Sequence, residues 1–220
     1  MDSNPVKHRS RRKKRRWPVV LLILLILTLL AVAGVMFRMA GWRGQRTEGT
    51  LTALVNPWNS VDAAGYKPTL VKVRDTQVDQ NCAAALEQML LACEAAGNTP
   101  VLSAGYLSRS ELERNRSLSL ENGEPGFSEH ETGLAVDIQD RSDPNSPESA
   151  VTLWLRENAW SYGFILRYPD GTEEITGMVP CPWHYRYVGE AAASQIHQLN
   201  ITLEEYVTMF YNDSAAVVFE

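Results

Sequence analysis

The stretch Ser128-Glu-His-Glu-Thr-Gly-Leu-Ala-Val-Asp137 sets an imidazole, His130, and a carboxylate, Asp137, seven positions apart on either side of Gly133. The glycine permits a turn, and Leu134-Ala-Val-Asp-Ile138 then reads as a strand. Alternation puts Leu134, Val136 and Ile138 on one face and Ala135 with Asp137 on the other. Asp137 therefore projects from the less bulky face. His130 lies before the turn and folds back over the same face. One nitrogen and one carboxylate oxygen converging on a point make two thirds of a catalytic zinc site.

A third ligand is available in Cys181-Pro-Trp-His-Tyr-Arg-Tyr-Val-Gly189. This segment also reads as a strand. Trp183, Tyr185 and Tyr187 alternate with His184 and Arg186, so His184 points away from the aromatic face. A single histidine is more often a satisfied structural residue than a ligand. Two strand-borne histidines and an aspartate in motifs this dense favour a metal. His130, Asp137 and His184 leave a fourth position open for water, which is a catalytic pattern; structural zinc sites are closed by four protein ligands.

Together, Ser128-x-His130-x-x-Gly133-x-Ala135-x-Asp137 and Trp183-His-Tyr-Arg-Tyr-Val-Gly189 resemble the zinc D-alanyl-D-alanine carboxypeptidases of the vancomycin-resistance type. That family shares its fold with lysostaphin-like peptidases and the Hedgehog signalling domain. The likeness runs from about Leu51 to about Phe210 and includes Leu54-Val-Asn56, Gly163-Phe-Ile-Leu-Arg-Tyr-Pro169, Thr176-Gly177 and Leu203-Glu-Glu-Tyr206. It implies zinc on His130, Asp137 and His184, substrate contacts from Ser128 and Tyr106, and a peptidoglycan stem peptide as the molecule acted on.

The resemblance also exposes departures. The family's second motif begins Glu-x-x-His, the Glu being the general base; here that position is Cys181. The family carries Tyr-Arg-Ser before a helix, the Arg steadying the substrate carbonyl, often with a Gln five residues later. Here Leu107 holds the Arg position and Leu112 the Gln position. Arg109, two residues on, is a candidate substitute, although its place at a helix cap constrains its direction. A cysteine sulfur sits one bond beyond Cβ, a glutamate oxygen three, so Cys181 lacks the reach of the missing base. Its readings, in order, are inert filler, zinc ligand and catalytic base. Two function classes follow. One is an enzyme trimming D-alanine from stem peptides with a rearranged base. The other is a zinc-stabilised, non-hydrolytic module that binds cell-wall peptide or a partner protein.

The N-terminal region has a different character. Residues 1–16 carry eight Lys or Arg against one Asp. Val19 to Phe37 follows, 19 residues with Thr28 the one polar side chain, long enough to cross most of a ~30 Å hydrocarbon layer. The basic run then marks a cytoplasmic flank, with the rest of the chain outside. A cleaved signal peptide is the rival, since Ala31-Val-Ala33 offers a small-residue site. The expected organisation is a basic tail (1–18), a transmembrane anchor (19–37), a linker (38–50), a zinc domain (51–211) and a tail (212–220). Residues 47–220 hold ten Lys or Arg against 25 Asp or Glu. An acidic domain excludes nucleic acid and electrostatic adhesion to anionic lipid.

Element by element, Val78 to Ala96 reads as a helix with Cys82 and Cys93 too far apart along it to bridge. Val101 to Tyr106 reads as a strand. Ser108 and Glu111 form a capping box opening a helix to about Ser119. Ser146-Pro147 opens another to Tyr162. Phe164 to Tyr168 and Glu173 to Gly177 read as a hairpin about Pro169-Asp-Gly171. Gly189 to Leu199 and a segment capped by Thr202 and Glu205 close the list of helices. The class is α+β: a mostly antiparallel central sheet with flanking helices, preceded by one transmembrane helix.

Overall fold

The computed structural model describes residues 51–114, 123–144 and 146–210, all within one compact unit. Among them no helix is long and apolar enough to cross a membrane. The basic tail, the anchor expected over 19–37, the linker and residues 212–220 lie outside the described residues, as does the far end of the helix expected to reach Ser119.

In chain order the elements are α1 (Val61–Ala64), β1 (Leu70–Val73), β2 (Thr76–Asp79), α2 (Gln80–Ala95), β3 (Pro100–Ala104) and α3 (Arg109–Arg114). A 3₁₀ turn (Glu129–Thr132), β4 (Ala135–Asp140), α4 (Ala150–Asn158) and a second 3₁₀ turn (Ala159–Tyr162) come next. The chain continues through β5 (Phe164–Tyr168), α5 (Glu173–Thr176), β6 (Cys181–Tyr187), α6 (Glu190–Leu199) and α7 (Leu203–Phe210). β1 and β2 form a hairpin of their own. The main sheet has the order β3-β4-β6-β5, antiparallel throughout.

The alternation expected of β4 is present. Leu134, Val136 and Ile138 are fully buried with Leu86 and Leu90 of α2, Leu155 of α4, and Tyr185 of β6. Each such side chain contributes about 1.5–3 kcal/mol through burial, so a register slip of one residue in β4 would forfeit the core face altogether. A smaller cluster joins Ile165 and Val188 to Ala193, Ile196, Leu203 and Tyr206. These two clusters lock the sheet from which the chemistry-bearing side chains project.

Three expectations need correction. Glu173 to Gly177 is not a strand: Thr176 N–H and Gly177 N–H donate to Thr172 O and Glu173 O, forming the single helical turn α5, and β5 pairs with β6 instead. The long helix expected from Val78 begins at Gln80, because the Asp79 carboxylate accepts from Asn81 N–H as N-cap and leaves Val78 in β2. The helix expected from Ser146 begins at Ala150, capped by Ser149, which accepts from Thr152 N–H. Both other capping boxes form, Ser108 with Glu111 and Thr202 with Glu205. Cys82 and Cys93 are buried in the core and bridge nothing.

Candidate metal centre

Asp137 and His184 are direct cross-strand partners in the β4–β6 ladder, so their side chains rise from one face of the sheet. His130 reaches that face from the 3₁₀ turn before β4. The turn ends at Gly133, whose φ of 67° and whose Cβ position, 2.9 Å from Asp79 N, admit no other residue without strain. The two imidazoles meet edge to face with centroids 4.9 Å apart. His184 Nδ1 lies 2.8 Å from Asp137 Oδ1, and His130 Nε2 lies 3.5 Å from the same oxygen. One ligand atom from each residue falls within 4.8 Å of the others.

Tautomers follow from the neighbours. His130 Nδ1 sits 2.6 Å from Gly105 O, a carbonyl that can only accept, so Nδ1 carries the hydrogen and Nε2 keeps its lone pair. That Nε2 is buried and has no hydrogen-bond partner among the described residues. The close packing at Gly105 makes the contact possible: a Cβ there would lie 2.5 Å from Gln77 O. An unpaired lone pair facing a buried carboxylate is an arrangement that a cation satisfies, and the donor set fits zinc.

The charges are strongly perturbed. Burial alone would raise the Asp137 pKa, but His130 and His184 outweigh it and hold the carboxyl well below the usual range. Burial would lower His184, yet its hydrogen bond with Asp137 and the nearby Glu129 carboxylate prevail and push it up to about 9. Perturbed charges of this kind recur at functional sites and in structural ion-pair networks alike.

The other residues singled out in the sequence surround this point. Leu107 N–H donates to His130 O at 3.3 Å, which sets the residue expected at the Arg position directly against His130. Tyr106 N–H is bound to Gln77 O, and Tyr106 is half-buried. Ser128 is buried at the start of the turn, its carbonyl accepting from Glu131 N–H. Leu112, the residue expected at the Gln position, is buried. Cys181 is the cross-strand partner of Tyr168, whose ring stacks on His184 with centroids 5.0 Å apart. Cys181 is half-buried and stands outside the convergent ligand group. Arg109 is held elsewhere: its guanidinium pairs with Asp62 at 2.9 Å and with Glu131 at 3.0 Å, and Glu131 in turn accepts from Gly126 N–H.

Sequence reasoning missed the layer beneath the ligands. Glu129 is fully buried and accepts from Arg167 Nε at 2.9 Å and Arg186 Nη1 at 2.7 Å. Arg167 also forms a two-pronged pair with Glu204, at 2.9 and 2.6 Å. Burial would raise the Glu129 pKa, but the two arginines depress it far below its ordinary value. The available signal was an arginine inside the otherwise apolar strand β5, Arg167, and a second, Arg186, two residues after His184 in β6.

A convergent set of two histidines and an aspartate, carried on an antiparallel sheet, fits a metal-dependent peptidase. Residues 75–190 match the family described as VanY: D-alanyl-D-alanine carboxypeptidase. The chain is 37% identical over 150 residues to the putative carboxypeptidase YodJ of Bacillus subtilis (strain 168), a match covering 61% of this chain and 55% of that protein. Among solved structures it resembles the vancomycin-resistance D,D-pentapeptidase VanY from the VanB-type cassette, a mutant in complex with Zn(II). There the TM-score is 0.65 and the identity 31%, over 72% of this chain and 99% of that one. VanYB in complex with D-alanine-D-alanine matches with the same score and identity, over 75% and 99%. The chain spans little more than half the length of the first of these relatives. It belongs to the VanY D-alanyl-D-alanine carboxypeptidase family.

Proposed function

We propose that this protein is a membrane-anchored, extracytoplasmic member of its family that holds zinc and engages peptidoglycan stem peptides ending in D-Ala-D-Ala, with hydrolysis weak or lost. The observation that carries this reading is an intact, convergent ligand set beside Cys181 and Leu107, where general base and charge stabiliser are expected. Zinc held by His130, Asp137 and His184 would polarise the scissile carbonyl and activate water. The chain's own residues do the rest. His130 and His184 supply nitrogens, and Asp137 the carboxylate. Leu107 offers no positive charge to the carbonyl, and Cys181 is too short to accept a proton where a glutamate would. Arg109 supports the same conclusion, because turning toward substrate would break its pairs with Asp62 and Glu131. The hydrophobic segment 19–37 with its basic flank supports the anchor and the orientation.

The test uses the full-length chain loaded with zinc. Calorimetry with a stem pentapeptide should show saturable binding that disappears in His184→Ala, while D-alanine release stays close to the uncatalysed background. A zinc-loaded chain that ignores the pentapeptide would contradict the assignment of ligand. In spheroplasts, added protease should digest residues 51–210 and spare the basic tail; the opposite pattern would reverse the orientation.

A further inference from the structure

The carboxylate of Glu129 has one oxygen occupied and one waiting. Oε1 accepts from Arg167 and Arg186. Oε2 is buried, has no hydrogen-bond partner among the described residues, and faces His184 Nε2 at 3.5 Å; that nitrogen is likewise buried and without a partner. Buried polar atoms are normally paired, and these two are complementary, an imidazole N–H being a donor and a carboxylate oxygen an acceptor. A shift of about half an ångström would complete the bond.

We infer that Glu129 is a positioning carboxylate of the metal centre: it takes the Nε2–H of His184 and thereby fixes the ring with its lone pair on Nδ1, the nitrogen beside Asp137. The inference rests on the metal-centre reading above. Metal-bound histidines commonly donate their second nitrogen to a carboxylate or carbonyl, which sets the tautomer and raises ligand basicity. Here the two ligands use opposite nitrogens for a visible reason. Gly105 O claims Nδ1 of His130 and leaves Nε2 for the metal; Glu129 claims Nε2 of His184 and leaves Nδ1.

The support reaches further. Arg186 Nη2 donates to Leu51 O and Ala53 O, both at 3.0 Å, and Arg167 Nη2 to Val55 O at 3.4 Å. Asn56 Nδ2 donates to Glu204 Oε1 at 3.1 Å. The segment 51–56 and helix α7 therefore both bear on the arginines that hold Glu129. Glutamine cannot replace it. An amide has one accepting atom, so it can serve either the two arginines or His184, and its NH₂ meets a donor on the other side.

Two measurements on the full-length chain test this. In the zinc-loaded wild type, long-range ¹⁵N–¹H NMR should find His184 protonated at Nε2 with metal on Nδ1; protonation at Nδ1 with metal on Nε2 would overturn the inference without any variant. Zinc affinity, read by competition with a chromophoric chelator, should fall about 10–100-fold in Glu129→Ala and Glu129→Gln. Glu129→Asp should recover part of the loss. Unchanged affinity in a folded Glu129→Ala protein would overturn the positioning role. A wild-type chain that takes up no zinc would overturn the metal reading itself, and this inference with it.

Discussion

Replacing Arg167 by methionine should be among the most damaging single changes outside the apolar core. The guanidinium is wholly buried, as is Glu129, and the Glu204 side chain is only 6% exposed. Methionine keeps much of the volume but removes donors from Glu129 Oε1 and from both oxygens of Glu204. Glu129 retains Arg186, whereas Glu204 retains only the Asn56 amide among the bonds described. Breaking a buried pair strands a charge in a low-dielectric interior and costs about 3–5 kcal/mol. A chain of this size loses about 2–4 °C of Tm per kcal/mol, so the expected drop is about 6–20 °C. An internal control exists. Arg74 and Glu94 are similarly close, 2.7 Å apart, but their side chains are 27% and 40% exposed, so Arg74→Met should cost no more than about 1 kcal/mol. Thermal unfolding followed by circular dichroism compares the two. Removing both partners, as Arg167→Met with Glu204→Leu, should hurt less than Arg167→Met alone. Equal losses at Arg167 and Arg74 would refute the claim that burial, not distance, sets the strength of these pairs.

Three further outcomes follow from the same geometry. Because the folded Glu129 carboxyl titrates below its unfolded value of 4.5, the folded state binds fewer protons there; its contribution is full above about pH 4.5 and is lost as pH falls further. Urea unfolding between pH 7 and 3 should therefore steepen below pH 4.5, and less so in Arg167→Met. The full-length chain should carry about one zinc, lost in His184→Ala, and chelation should lower its Tm because a ligand of the folded state has been removed; unchanged Tm after chelation would contradict the site. Arg109→Gln should cost about 1 kcal/mol, since its side chain is 39% exposed and solvent screens its pairs. It should not alter D-alanine release in a Cys181→Glu background; a drop there beyond the stability loss would make Arg109 the substitute charge.

The convergence of His130, Asp137 and His184 was legible because its logic is local. Alternation in β4 and β6 fixes which face Asp137 and His184 occupy, and Gly133 announces the turn that returns His130. The layer beneath was not legible. Glu129 lies in a 3₁₀ turn, where no simple period tells which way a side chain points. Its partners Arg167 and Arg186 stand 38 and 57 residues away, and Glu204 is 37 residues beyond Arg167. Nothing in a period of 2 or 3.6 encodes such pairings. The misread strand at α5 has a similar cause: a segment of one helical turn is too short for periodicity to decide.

We propose a metal centre that persists while proton handling and charge stabilisation have been lost at two positions, Cys181 and Leu107. D-alanine release from a stem pentapeptide by the zinc-loaded full-length chain tests it, comparing wild type with Cys181→Glu and with Cys181→Glu, Leu107→Arg. A missing general base typically costs about 10²–10⁴ in rate and a missing charge stabiliser about 10²–10³, not additively. Wild type should stay close to background and the double variant should exceed it by at least about 10². Wild-type turnover in the ordinary enzymatic range of about 1–10³ s⁻¹ would contradict the account.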